Sequence, residues 1–250
     1  MLSAAERQKA GLLKKAAQES RKRLGKNAQS RFGRFLDAYY ANVPPQDIGE
    51  SDPVTLFRLS HGHWKLGAAR AKGKPLIRVF NPEPGKDGWK SERTIIEIIN
   101  DDMPFLVDSV TSELNRQNLT VHLIIHPTLK VRRNKAGKLL DILKGGQRGD
   151  NSVAESFMHL QVSQLSGRRL KGIETGIRKV LNDVRVAVKD WHPMRERLAS
   201  LIAELETAPK GVHPEEAEEI REFLHWIRDN QFTLLGYREY RYKGRGKKPR

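Results

Sequence analysis

Apolar positions recur every three or four residues over 30–42 ("SRFGRFLDAYYAN"), where Phe32, Phe35, Leu36, Tyr39 and Tyr40 share one helical face. "VPP" at 43–45 ends that helix, because a residue before proline is pushed away from helical backbone angles. A second helix is expected over "SDPVTLFRLSHGHWKLGAAR", with Ser51 or Asp52 as cap and Pro53 near the first helical position. Residues 2–26 read as a basic helix. Their apolar stripe, Leu12, Leu13 and Ala17, is thin, so this helix is expected at the periphery.

After Gly73 the period changes. "KPLIRVFNP" (74–82) and "SERTIIEIIN" (91–100) read as strands, and the second is almost wholly apolar, as a central strand is. Residues 104–117 return to helical spacing through Leu106, Val107, Val110 and Leu114. "LTVHLIIHPTLKVRR" (119–133) reads as one long strand that Pro127 bends or places at an edge. A turn at 134–138 leads to a short strand at 139–143, a flexible loop, and a further strand at 155–165.

Leu170, Ile173, Ile177, Leu181, Val184 and Val188 then form an unbroken helical stripe. Trp191 and Pro193 are expected to interrupt it before a second helical stretch through Leu205. "APKGVHP" reads as a linker, 214–229 as a helix and 231–242 as a final strand. From residue 91 the order β-α-β-β-β-α, with a strand returning at 231, predicts an α+β fold. It is close to a ferredoxin-like βαββαβ unit: an antiparallel sheet with helices on one face, plus flanking N- and C-terminal helices. The expected division is a basic helical extension (1–48), the βαββαβ domain (49–190), and a helical connector and strand leading to a further module (191–250).

Charge changes the picture only at the ends. The net charge is +16, but residues 1–34 carry ten Lys or Arg against two Glu, and residues 237–250 carry seven against one. What remains has 29 basic and 27 acidic residues, which is nearly neutral. Basic ends suit a solvated helix face or a polyanion contact. The polyanion alternative is weaker because the expected sheet shows no row of exposed aromatics paired with Arg. There is no cysteine, hence no disulfide frame and no thiolate chemistry. No stretch approaches the roughly 20 apolar residues of a membrane helix, and no signal-peptide core is present. A cytoplasmic location is expected.

The acidic stretch "NDDMPFLVDSV" (100–110) is the one local constellation with candidate chemistry. Asn100, Asp101, Asp102 and Asp108 could hold a metal or act as acid and base. However, the spacing lacks the glycine and distal glutamate of a calcium loop. Acids beside a helix start are favourable by themselves, so helix initiation is the simpler reading. "HGHW" (61–64) supplies two histidines where zinc needs three or four ligands. His122 and His126 lie on one strand face and suit packing. Lys72, Gly73 and Lys74 do not form a phosphate loop, and no dinucleotide fingerprint occurs.

The strings "PLIRVFNP", "GWKSERT", "TIIEIINDDMPFLVDSVTSELNRQNLTVHLIIHPTLKVRR", "ESFMHLQVSQL", "VLNDVRVAVKDWHPM" and "FTLLGYREY", in this order from about residue 30 to 243, resemble the N-terminal region of the large bacterial NAD-specific glutamate dehydrogenases. The resemblance implies that the 250 residues are one part of a much longer chain that oxidises L-glutamate to 2-oxoglutarate and ammonia with NAD. It implies an ACT-like module with a regulatory or assembly role. Catalytic, cofactor-binding and metal residues would lie elsewhere, and NAD would be the cofactor of the parent enzyme, not of this part. Self-association into a homo-oligomer, contacts with downstream domains and an amino-acid effector are the implied partners; membrane and nucleic acid are not.

ACT modules often carry an Asp-x-Pro-Gly-x-Leu-like turn between first strand and first helix. Asn100, Asp101, Asp102, Met103, Pro104 and Phe105 resemble it and form the candidate effector or subunit-contact turn. Phe105 stands where glycine is usual. A side chain there is expected to remove backbone freedom and fill the space a ligand would use, which favours a subunit contact.

Overall fold

The computed structural model describes residues 3–49, 51–143, 152–206 and 213–240. The chain divides into two compact units, Met1–Leu181 and Asn182–Arg250. The first unit opens with α1 (Ala4–Arg23), α2 (Lys26–Tyr40), a one-turn helix α3 (Pro45–Ile48) and α4 (Pro53–Leu66). Ser3 and Glu6 form a reciprocal capping box at the start of α1. Asp52 caps α4 by accepting from the Thr55 amide, with Pro53 at the first helical position. The thin stripe of α1 is nonetheless seated: Ala16 and Ser20 are buried, and Lys9 donates to the Ala41 and Val43 carbonyls.

The sheet has six strands: β1 (Leu76–Phe80), β2 (Thr94–Asp101), β3 (Val121–Ile125), β4 (Thr128–Arg133), β5 (Leu139–Ile142) and β6 (Ser152–Val162). Their order is β1-β2-β6-β4-β5, with β3 also paired to β6, and every pairing is antiparallel. The expected strand 119–133 is two strands. Pro127 has no amide hydrogen to give to the ladder, and it falls where β3 ends and β4 begins. The expected flexible loop at 144–153 lies outside the described residues except for Ser152 and Val153, which are the first residues of β6 and not loop.

Strand alternation separates two cores. Ile95 and Ile99 share a face with Phe157, and this set packs with Phe32, Phe35, Tyr39 and Phe57 from α2 and α4. The rings of Phe35 and Phe157 are 5.6 Å apart, edge to face. The other set, Ile96, Ile98, Met158 and Leu160, is equally buried. The buried stripes of α5 (Leu106–Arg116) and the first half of α6 (Gly167–Glu204), Val110, Leu114, Ile173 and Ile177, serve that side. Helices α5 and α6 are those of a βαββαβ unit; the N-terminal helices cover the second face. That double cover explains why β2 is buried at seven successive positions.

Two further expectations fail. Pro193 does not end a helix: α6 runs through it to Glu204. A proline in a helix removes one hydrogen bond and crowds the preceding turn, but the apolar stripe continues on both sides and carries the helix through. Nor is there a strand at 231–240. A short π-helix (Ile227–Gln231) follows α7 (Pro214–Trp226), and residues 233–240 have no regular structure; residues 241–242 lie outside the described residues. Both edges of β2 are filled, by β1 and by β6. No helix among the described residues is long and apolar enough to cross a membrane.

Candidate functional site

The acidic turn joins β2 to α5, and its members part company. Asn100 is fully buried, and its amide donates to the Asp101 carbonyl at 3.1 Å. Asp102 donates its backbone amide to Ala154 at 3.0 Å and accepts from the Thr128 hydroxyl at 3.1 Å. Met103 is half-buried, while Pro104 and Phe105 are exposed. The helix does not open at Pro104: it begins at Leu106, with Phe105 as N-cap and no side-chain cap. The acid in its first turn is Asp108, so Asp101 and Asp102 do not serve as helix starters. Val110 is in the core, and Val107 is half-buried.

Phe105 corrects the expectation about backbone freedom. Its φ of 68° and ψ of 4° are left-handed, the conformation glycine would supply. The phenylalanine therefore keeps the glycine-like turn, at roughly 1–2 kcal/mol of steric cost. Its side chain is 47% exposed, so it projects outward instead of filling the turn.

Asp101 enters an ion cluster. In the β2–β6 ladder it stands directly opposite Glu155, an unfavourable pairing of like charges. Arg70 resolves it by bonding both carboxylates, with its Nη2 at 2.8 Å from Glu155 and also bonded to Asp101. Arg133 adds a fork onto Glu155, with two contacts of 2.7 Å, and donates to the Gly67 and Gly137 carbonyls. Glu155 is completely buried, and the Arg70 side chain is only 2% exposed. Burial works against the Arg70 charge, but the two carboxylates outweigh it and hold its pKa above the ordinary value. The cluster walls a cavity of about 310 Å³, to whose rim Lys72, Asn134 and Lys135 belong. Acid and base stand side by side there, an arrangement that suits a small ligand carrying both charges.

Sequence reasoning missed Arg70, Arg133 and Glu155. Glu155 carried a signal, a carboxylate at the start of an apolar strand, which needs a partner once buried. The two arginines carried none, because they come from distant turns and strand ends.

A second polar cluster lies in the core under α4. Tyr39 Oη and His63 Nδ1 are 2.9 Å apart. Glu97 pairs with Arg78 at 3.0 Å and stands opposite His159 in the ladder. Glu97 Oε1, His63 Nε2 and both His159 ring nitrogens have no hydrogen-bond partner among the described residues. Burial pushes the Glu97 carboxyl up to about 7 and the His159 imidazole down to about 3; His63 is also held well below the ordinary range, by burial and by His159. His61, the other member of "HGHW", stacks on Phe57 with ring centres 5.1 Å apart. His126 bonds the Ser156 hydroxyl at 2.6 Å. No group of three or more His, Cys, Asp or Glu among the described residues converges as a metal site would.

The antiparallel sheet, its two helices and the left-handed turn between β2 and α5 define an ACT-like α+β module. Residues 35–177 match the family described as glutamate dehydrogenase, ACT1 domain, and the chain belongs to that family. It is 34% identical over 218 residues to an NAD-specific glutamate dehydrogenase of Pseudomonas aeruginosa, covering 87% of this chain and 14% of that protein. To the NAD-specific glutamate dehydrogenase of Halomonas elongata it is 35% identical over 239 residues, 95% of this chain and 15% of the relative. A Mycobacterium tuberculosis protein of the same description is 28% identical over 182 residues, 72% of this chain and 11% of that protein. The chain thus spans about one seventh of the length of the first two relatives.

Proposed function

We propose that this chain is the N-terminal regulatory and assembly module of an NAD-dependent glutamate dehydrogenase. The parent protein would convert L-glutamate and NAD to 2-oxoglutarate, ammonia and NADH in the cytoplasm, with the chemistry in other domains. One observation carries the assembly role: an exposed aromatic, Phe105, held in a left-handed conformation at the tip of the β2–α5 turn. Strain and exposure of a large apolar side chain both run against the stability of an isolated module. Burial of Phe105 against a second copy or a downstream domain would offset them, by about 1.5–3 kcal/mol for a phenylalanine. Sedimentation of the chain tests this: Phe105→Asp shifts it toward the monomer, whereas an unchanged mass distribution counts against a subunit contact at this turn.

The cavity beside Asp101 favours a second reading, an amino-acid effector site. A zwitterion would set its ammonium against Asp101 and its carboxylate against Lys72, Lys135 or Asn134. Calorimetry with a panel of amino acids decides it. Binding lost in Asp101→Asn supports the site, and the absence of heat across the panel leaves the assembly role alone.

A further inference from the structure

The wall formed by α4, β1 and the turn that follows β1 carries a separate concentration of positive charge. A cavity of about 340 Å³ there is lined by Arg58, His61, Gly62, Lys65, Arg78 and Lys86, with one acid, Asp87. Arg78 is fixed in place: it pairs with Glu97 at 3.0 Å and approaches Asp87 at 3.7 Å, and its guanidinium lies over the Phe80 ring at 3.8 Å. It consumes the acids in reach. Among the described residues no carboxylate lies within ion-pairing distance of Arg58, Lys65 or Lys86.

The backbone places these cations. Gly88, with φ of 80°, lies directly under the Arg58 side chain, whose guanidinium carbon is 3.2 Å from where a Cβ would stand. The missing side chain at Gly88 leaves the room that Arg58 occupies on this wall. Gly62, on α4, leaves the Arg78 guanidinium open to the cavity; a Cβ there would stand 3.2 Å from Arg78 Nη2. His61, half-buried and with its pKa lowered to about 4 by burial and by Lys65 and Arg23, stays neutral near pH 7 and can donate or accept a hydrogen bond without adding charge.

We propose that this cavity binds a small, multiply charged oxyanion: the phosphate or diphosphate group of a metabolite. Three uncompensated cations around one concavity repel one another, and a dianion or trianion removes that repulsion while Arg78 supplies a planar donor fork. The volume suits one or two phosphate groups and excludes a duplex. The site is separate from the Asp101 cavity and does not depend on the family reading.

The test is calorimetric titration of the 250-residue chain with inorganic pyrophosphate at low salt, with a nucleoside diphosphate and acetate as comparators. Binding of pyrophosphate but not acetate is expected, at one site, weakening as salt rises. Lys65→Ala with Lys86→Ala should weaken it roughly tenfold or more, the loss of about 1.4 kcal/mol. The charge-matched pair Lys72→Ala with Lys135→Ala, at the other cavity, should leave it unchanged. Both pairs change exposed side chains, and circular dichroism checks that both fold. Equal losses in the two pairs would show a diffuse charge effect and overturn the proposal, as would no binding at millimolar pyrophosphate. Tighter binding of the nucleoside diphosphate than of pyrophosphate identifies a nucleotide as the source of the phosphate.

Discussion

Phe105 and Glu97 are the two residues whose local cost asks for an explanation. Replacing Phe105 by glycine releases the left-handed strain at φ 68°. It should stabilise the chain by about 1 kcal/mol in urea denaturation while weakening self-association; a loss of stability would mean that Phe105 packs within its own module. Glu97 sets a pH dependence. Its carboxyl is raised by burial from an ordinary 4.5 to about 7, so the folded state holds this proton more tightly than the unfolded state. That contribution is complete below 4.5 and is lost as pH rises to about 7. His159 acts with the opposite sign: lowered from 6.5 to about 3, it costs stability as pH falls through that window. Glu97→Gln should therefore gain stability over the unsubstituted chain between pH 5 and pH 8, by up to about 3 kcal/mol. Parallel stability curves for the two proteins would show that Glu97 does not titrate in this range. In sequence Glu97 was visible only as a lone acid in "TIIEIIN"; that Arg78, His159 and α4 surround it depends on strand register and on which helices cover the sheet.

At the scale of elements, the β4–β5 hairpin and the ion cluster hold the end of the sheet together. Gly137 has φ of 81°, and a Cβ there would stand 2.2 Å from the Arg70 carbonyl oxygen. Gly137→Ala should cost roughly 2 kcal/mol or more, from the left-handed penalty and the displaced Arg70 backbone. Arg70→Met leaves the Asp101 and Glu155 carboxylates opposed and should cost roughly 3 kcal/mol or more; a midpoint shift under half that in urea would mean that Arg133 alone neutralises the pair. Most elements were legible because their periods are clean. The apolar run of β2 and the stripe of α5 fixed their type, and Asp52 with Pro53 located the start of α4. The failures share a cause. Pro193 and the 231–240 stretch were read from local preference, whereas the continuing stripe of α6 carries the helix past Pro193 and no described strand pairs with 231–240. The ion cluster was half legible: Asp101 stood in the marked turn, but the other members, Arg70, Arg133 and Glu155, come from 31 positions before it and 32 and 54 positions after it in the chain.

At the scale of the whole molecule, the N-terminal helices belong to the module, since α2 and α4 seal one face of the sheet and α1 packs on α4. Removing residues 3–40 should expose Ile95, Ile99 and Phe157 and prevent folding, which loss of near-ultraviolet circular dichroism would report. The basic charge of α1 is then a solvated outer surface. The central claim, that this module governs assembly and regulation of a glutamate dehydrogenase through the β2–α5 turn, is met most directly in the full-length protein. The measurement is NAD-dependent oxidation of L-glutamate by the Phe105→Asp protein at matched oligomer-dissociating dilutions. Activity is expected to fall at protein concentrations where the unsubstituted enzyme keeps it, and to return as concentration rises. Identical activity at every dilution would contradict it.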